Sequence, residues 1–134
     1  MALGDQFYIL HEGTLVRRMV RLLGTADLHA HLRAAPLCRL FARLTAERPS
    51  PRVLEVGCGA GLNLFELSKM APFEGFGYDI KASAIAAARR VQAELGSDHL
   101  TFHCADAATF EPDQAFDVVL LMDVLEHMAQ PALL

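Results

Sequence analysis

No run of this sequence approaches the roughly 18–20 consecutive apolar residues that a bilayer-spanning helix needs. Hydrophobic residues nonetheless make up 53% of the chain, and the mean hydropathy is +0.27. The densest apolar stretch, Val118-Val-Leu-Leu-Met122, is short and lies between Asp117 and Asp123. A buried strand accounts for it better than a membrane segment. An excess of positive charge is also lacking. The formal net charge is −4 and the pI about 5.8, which leaves no footprint for nucleic acid or for an anionic membrane. Met1-Ala-Leu-Gly-Asp-Gln6 has no basic region ahead of an apolar run, so no secretory leader is expected. Cysteines are few and unpaired in pattern: Cys38, Cys58 and Cys104 form no CxxC. Neither a disulfide framework nor a zinc site is indicated, and a reducing cytoplasm is the expected compartment. His29 and His31 stand two apart, a spacing that suits a metal on a strand but not on the helix read there. They read as surface histidines.

What is present suits one folded domain. The chain has 134 residues, 21% of them charged, enough apolar material for a core. Two helical patterns come first. In residues 13–24, Leu15, Met19, Leu22 and Leu23 share a face. A second helix is predicted over 27–47, with Leu37, Leu40, Phe41 and Leu44 at helical spacing and a break or kink at Pro36. Pro49-Ser-Pro51 then punctuates the chain. From there the period changes. Strands are predicted at 52–56, 75–80, 100–104 and 116–122, with helices near 62–70, 82–95 and from about 130. Alternating strands and helices imply βαβ units and a parallel sheet, and right-handed crossovers imply helices on both faces. The expected fold is a Rossmann-like, doubly wound α/β sheet. Residues 1–48 form an N-terminal helical segment, and 49–134 the α/β part.

The most informative segment is Val53-Leu-Glu55-Val-Gly57-Cys58-Gly59-Ala-Gly61-Leu-Asn63. A strand ends there and the chain must turn sharply into a helix. Glycines permit the backbone dihedrals of such a turn and remove side chains that would keep a ligand from the backbone. In an open α/β sheet, ligands bind beyond the carboxyl ends of the strands at the switch point. A dinucleotide fingerprint would need glycine at the sixth position from Gly57, where Leu62 stands. The lysine of a phosphate-binding P-loop is also lacking. About 20 residues beyond Gly57, at the tip of the second strand, comes Asp79, where an acid can accept both hydroxyl protons of a ribose. Asp106 follows the third strand, and Phe116-Asp117-Val-Val-Leu-Leu-Met122-Asp123-Val-Leu125-Glu126-His127 forms the fourth and its continuation.

These four motifs, in this order and spacing over residues 52–128, resemble those of the class I S-adenosylmethionine-dependent methyltransferases. The Val-Leu-Glu-His string resembles the small-molecule and quinone-type O-methyltransferases in particular. The resemblance implies S-adenosylmethionine as cofactor and methyl transfer to a small-molecule acceptor. It implies cofactor binding by Glu55, Gly57, Cys58, Gly59, Gly61, Asp79, Ile80, Asp106, Ala107 and Met122. Asp79 would hold the ribose and Ile80 the adenine face. Asp106 would accept from the adenine amino group, and the Ala107 amide would donate to the ring. His127 and Glu126 are candidate catalytic residues, each with a bland reading as a polar residue at the site's rim. Tyr8 or His11 could close over the cofactor. Cys58 also reads simply as a small residue in a tight loop. The family sheet continues past strand four, whereas this sequence stops at Pro131-Ala-Leu-Leu134. The expectation is therefore an incomplete sheet of order 3-2-1-4 with strand four at an open edge. Such an edge invites association, and a homodimer through it is expected. Two rival functions remain: a non-catalytic S-adenosylmethionine-binding module and a nicotinamide-dependent oxidoreductase.

Overall fold

The computed structural model describes residues 28–107, 109 and 114–125. Helix α1 runs over Leu28–Glu47, strand β1 over Arg52–Val56 and helix α2 over Leu62–Ser68. Strand β2 spans Glu74–Asp79, helix α3 Ala82–Leu95, strand β3 Leu100–Cys104 and strand β4 Val118–Leu121. The helix read at 13–24 and the one near Gln130 lie outside the described residues, as do Tyr8 and His11.

The four strands form one sheet in the order β3-β2-β1-β4, and every pairing is parallel. This is the predicted order. The chain winds from β1 outward to β3, then returns to the other side of β1. The crossovers through α2 and α3 both step in the same direction, so a common right hand puts both helices on the same face. That face carries Val53, Leu100, Phe102 and Leu120, packed with Leu64, Phe65 and Leu67 of α2 and Ile85, Ala88 and Val91 of α3. Phe41 of α1 joins the same cluster, 3% exposed and edge-on to Phe73. The described helices therefore lie on one face, whereas the sequence pattern distributed helices over both. Burial of each such side chain contributes about 1.5–3 kcal/mol.

Several boundaries differ from the sequence pattern for identifiable reasons. Helix α1 passes through Pro36 without a break, because a proline removes one hydrogen bond while packing of Phe41 on the core holds the C-terminal half in place. Leu40, expected in its apolar stripe, is 59% exposed. Strand β4 is shorter than 116–122 because Asp117 is diverted into a clamp. The Arg52 amide donates to Asp117 Oδ2 at 2.8 Å, and the Asp117 amide donates to the Arg52 carbonyl at 2.9 Å. Arg48 pairs with the same carboxylate at 2.7 Å. The Arg52 guanidinium lies 4.9 Å from the Phe76 ring centroid and 5.2 Å from that of Phe116. Strand β4, read from sequence as buried, has Val119 53% exposed.

Candidate functional site at the glycine loop

Strand β1 ends at Val56, and residues 57–61 turn the chain into α2. The turn is tied to β2 by its backbone. The amides of Gly57 and Cys58 both donate to the Tyr78 carbonyl, at 2.7 and 3.0 Å. The Gly59 amide donates to Asp79 Oδ2 at 2.8 Å. The other oxygen of Asp79 accepts from the Lys81 amide at 2.8 Å. Asp79 thus holds the loop from one side and the approach to α3 from the other.

The glycines of the loop do different work. Gly61 has φ +80, and a Cβ there would lie 2.6 Å from Phe102 Cε1 and 3.1 Å from Phe65 Cε2. Its missing side chain makes room for the core. Gly57 makes room for Val124, from the segment after β4. Gly59, with φ +54, is the exception: a Cβ there would meet nothing within 4 Å. Above Gly59, and there alone among these three, the backbone faces open space. Cys58 turns its side chain inward, 7% exposed and part of the core cluster. Burial pushes its thiol well above the ordinary range, and the neighbouring Glu55 and Asp79 push it further. It is no nucleophile, and what it can offer a ligand is backbone.

Glu55 lies beneath the loop, 2% exposed. Asn63 Nδ2 donates to its Oε1 at 2.5 Å, while Oε2 is buried without a hydrogen-bond partner. Burial pushes the Glu55 carboxyl up to about 7; the Asn63 bond opposes that shift and the Asp79 charge adds to it.

The remaining predicted residues flank this centre. Ile80 is 66% exposed beside Asp79, an apolar surface presented at the tip of β2. Asp106 is exposed past the end of β3, and Ala107 is half-buried next to it. The Asp106 carbonyl accepts from the Thr109 amide at 3.1 Å, and the Ala105 amide donates to the Asp79 carbonyl at 3.1 Å, which ties the β3 tip to the β2 tip. Met122 packs against the core cluster. Glu126 and His127 lie outside the described residues. Among the described residues, no cluster of three or more His, Cys, Asp or Glu could hold a metal ion.

Three participants were not assigned a role from sequence. Asn63 was seen only as the end of the glycine segment, Val124 as part of a motif string, and Phe102 as a strand residue. Period-2 alternation on β3 could have placed Phe102 on the inner face, but nothing local marks it as the partner of Gly61 and Gly77.

Residues 53–134 match the family described as methyltransferase domain. The chain belongs to this family. Among curated proteins, the chain is 38% identical over 77 residues to the ubiquinone biosynthesis O-methyltransferase of Bradyrhizobium sp. (strain ORS 278), covering 58% of this chain and 30% of that protein. It is 37% identical over 83 residues to the protein of the same name from Aromatoleum aromaticum, covering 60% and 35%. The chain thus spans about a third of the length of these relatives. Among solved structures, an S-adenosylmethionine-dependent methyltransferase from Geobacter sulfurreducens, in complex with S-adenosyl-L-homocysteine, matches with a TM-score of 0.55 and 30% identity, over 64% of this chain and 33% of that one. The cyclase SpnF matches with a TM-score of 0.64 and 30% identity, over 73% and 37%. Likeness of fold therefore extends to a protein named for a different reaction.

Proposed function

We propose that this chain binds S-adenosylmethionine over the glycine loop and forms the cofactor-binding part of a methyltransferase acting on a small molecule. The observation that carries this reading is the open space over Gly59, directly beside the Asp79 carboxylate that holds the Gly59 amide. A ligand lying there meets bare backbone on one side and a hydroxyl acceptor on the other. When bound, the cofactor supplies an electrophilic methyl group on a sulfonium.

The chain's own residues bind and orient. Each Asp79 oxygen already accepts one backbone amide and retains a lone pair for a ribose hydroxyl. Exposed Ile80 offers an apolar contact to the adenine face. Asp106 accepts from the adenine amino group, and the Ala107 amide donates to the ring. Gly57, Cys58 and Gly61 shape the backbone, and Glu55 with Met122 backs it from below. Fixing the donor in one orientation is the main catalytic contribution open to this part of the fold. His127 or Glu126 would take the acceptor's proton. The relatives named for ubiquinone biosynthesis favour an O-directed reaction on a quinone-type phenol. The rival nicotinamide reading has no support in the family match, and a purely binding role is separated from methyl transfer by assay.

The three cysteines are free thiols, as in a reducing cytoplasm. No described helix is long and apolar enough to cross a membrane. Exposed Val119 on edge strand β4, beside an apolar groove of about 290 Å³ between α1 and β4, favours a homodimer through that edge. Calorimetry tests the central point. S-adenosylhomocysteine should bind the intact chain, and Asp79→Ala should weaken binding by about 1–3 kcal/mol. An unchanged affinity in that variant, or no binding at all, would sink the assignment.

A further inference from the structure

Glu55 has surroundings that a purely structural carboxylate would not need. It sits on β1, in register with Gly77 of β2 and Leu120 of β4, neither of which carries charge. From α2, the facing polar group is Asn63, which is neutral and satisfies one oxygen only. From β2 the facing charge is Asp79, of the same sign, and the Cys58 thiol of the loop is held neutral by burial. Among the described residues, the ion pairs are Arg48–Asp117, Arg52–Glu74 and Lys69–Glu66; none reaches Glu55. A carboxylate with one hydrogen bond, one orphaned oxygen and no cation is costly to keep ionised in a dry interior. It is stable there as the neutral acid, or as the anion once a positive charge is brought close.

We propose that Glu55 is a proton-linked counter-charge for the cofactor: it stays protonated under the empty glycine loop and ionises when a cationic group of the ligand binds, releasing its proton to solvent. This inference rests on the cofactor reading above. The bonds balance simply, since one O–H of the acid breaks and the buffer takes the proton. Asn63 acts as a positioning residue that commits Oε1 and leaves Oε2 for the incoming charge. The upward displacement of the carboxyl to about 7 places the release in the neutral range. The ligand has two cationic groups that could serve, an ammonium and a sulfonium. Their shared chemistry is a positive charge near Oε2.

The test is isothermal titration calorimetry on the full chain in pairs of buffers of different ionisation enthalpy. S-adenosylmethionine carries both charges and S-adenosylhomocysteine only the ammonium. The wild type should release on the order of one proton per site at about pH 6, falling toward none by about pH 8. Its apparent affinity should rise up to about tenfold per pH unit below about pH 7 and then level off. Glu55→Gln should release only what the ligand's own amino group contributes, which is common to both chains. Release with both ligands supports the proposal and assigns the ammonium; release with the sulfonium ligand alone supports it and assigns the sulfonium. Binding with identical proton counts in wild type and variant overturns it and leaves the cofactor reading intact. Failure of the wild type to bind either ligand overturns both. Should Glu55→Gln fail to fold, carbon NMR of the wild-type chain labelled at its glutamate carboxyls decides. One carboxyl should titrate near neutrality and become ionised on addition of S-adenosylmethionine, which carries both charges; a full set titrating in the ordinary range, about pH 4, would overturn the proposal.

Discussion

The floor and the mouth of the glycine loop are two residues apart and built on opposite terms. At the floor, Gly61 is pressed against Phe102 and Phe65; at the mouth, Gly59 faces open space. Both have positive φ, so both satisfy the same backbone requirement. What differs is what lies opposite. The floor glycine is kept small by the protein's own core, whereas nothing in the described chain keeps the mouth glycine small. A glycine in a turn therefore reports on a ligand only when the space before it is empty.

The sharpest way to break this contrast is to fill the floor. Gly61→Val should lose more than about 3 kcal/mol of stability, because overpacking against two aromatic rings adds to the strain of a branched residue in the left-handed region. Denaturant unfolding measures this, and a loss near that of an ordinary surface change would show that the core yields.

Glu55, also at the floor, gives the next effect. Its folded-state carboxyl is raised, so its stabilising contribution is complete below the ordinary carboxyl range and is lost as pH rises through about 7. Between about pH 5 and pH 8, the wild type should lose about 3 kcal/mol more than Glu55→Gln. Parallel stability curves for the two chains would contradict the burial argument.

At the mouth, Gly59→Ala meets no atom within 4 Å, so only the dihedral strain remains, about 1–2 kcal/mol. Affinity for S-adenosylhomocysteine should nevertheless fall at least about tenfold, roughly 1.4 kcal/mol. A variant that binds normally would move the ligand away from this opening. Smallest is the effect of Val119→Lys on the exposed edge, within about 0.5 kcal/mol of wild type in stability. Light scattering should still register it as a shift from dimer to monomer, and a wild type that is already monomeric would remove the proposed interface.

The sequence carried the fold further than it carried the site. Parallel pairing followed from alternating strand and helix periods, which are local and repeat, whereas the strand order came from the family resemblance. Asp79 was legible as the acid that ends β2, and Gly59 as one glycine of the turn after β1. The separate tasks of Gly57, Gly59 and Gly61 were not legible. They depend on Val124 and Phe102, which arrive from other strands and leave no mark in the loop's own residues. Asn63 was hidden similarly, since an amide on the first turn of a helix looks solvent-facing until β1 is placed beneath it. Leu40 shows the converse: helical spacing identified its stripe but not the edge of the surface it would meet.

The Asp117 clamp bears on the order in which the molecule assembles. It joins residues separated by 65 positions, whereas β1, β2 and β3 pair with near neighbours in the chain. Closing a long loop has to precede the reward of its contacts, so β1–β3 can pair first, even while the ribosome is still delivering β4. The clamp then acts as a late latch that sets register. Removing its carboxylate should leave the rate of folding nearly untouched and hasten unfolding, so that the first movement of the native sheet is β4 lifting away from a core that remains closed.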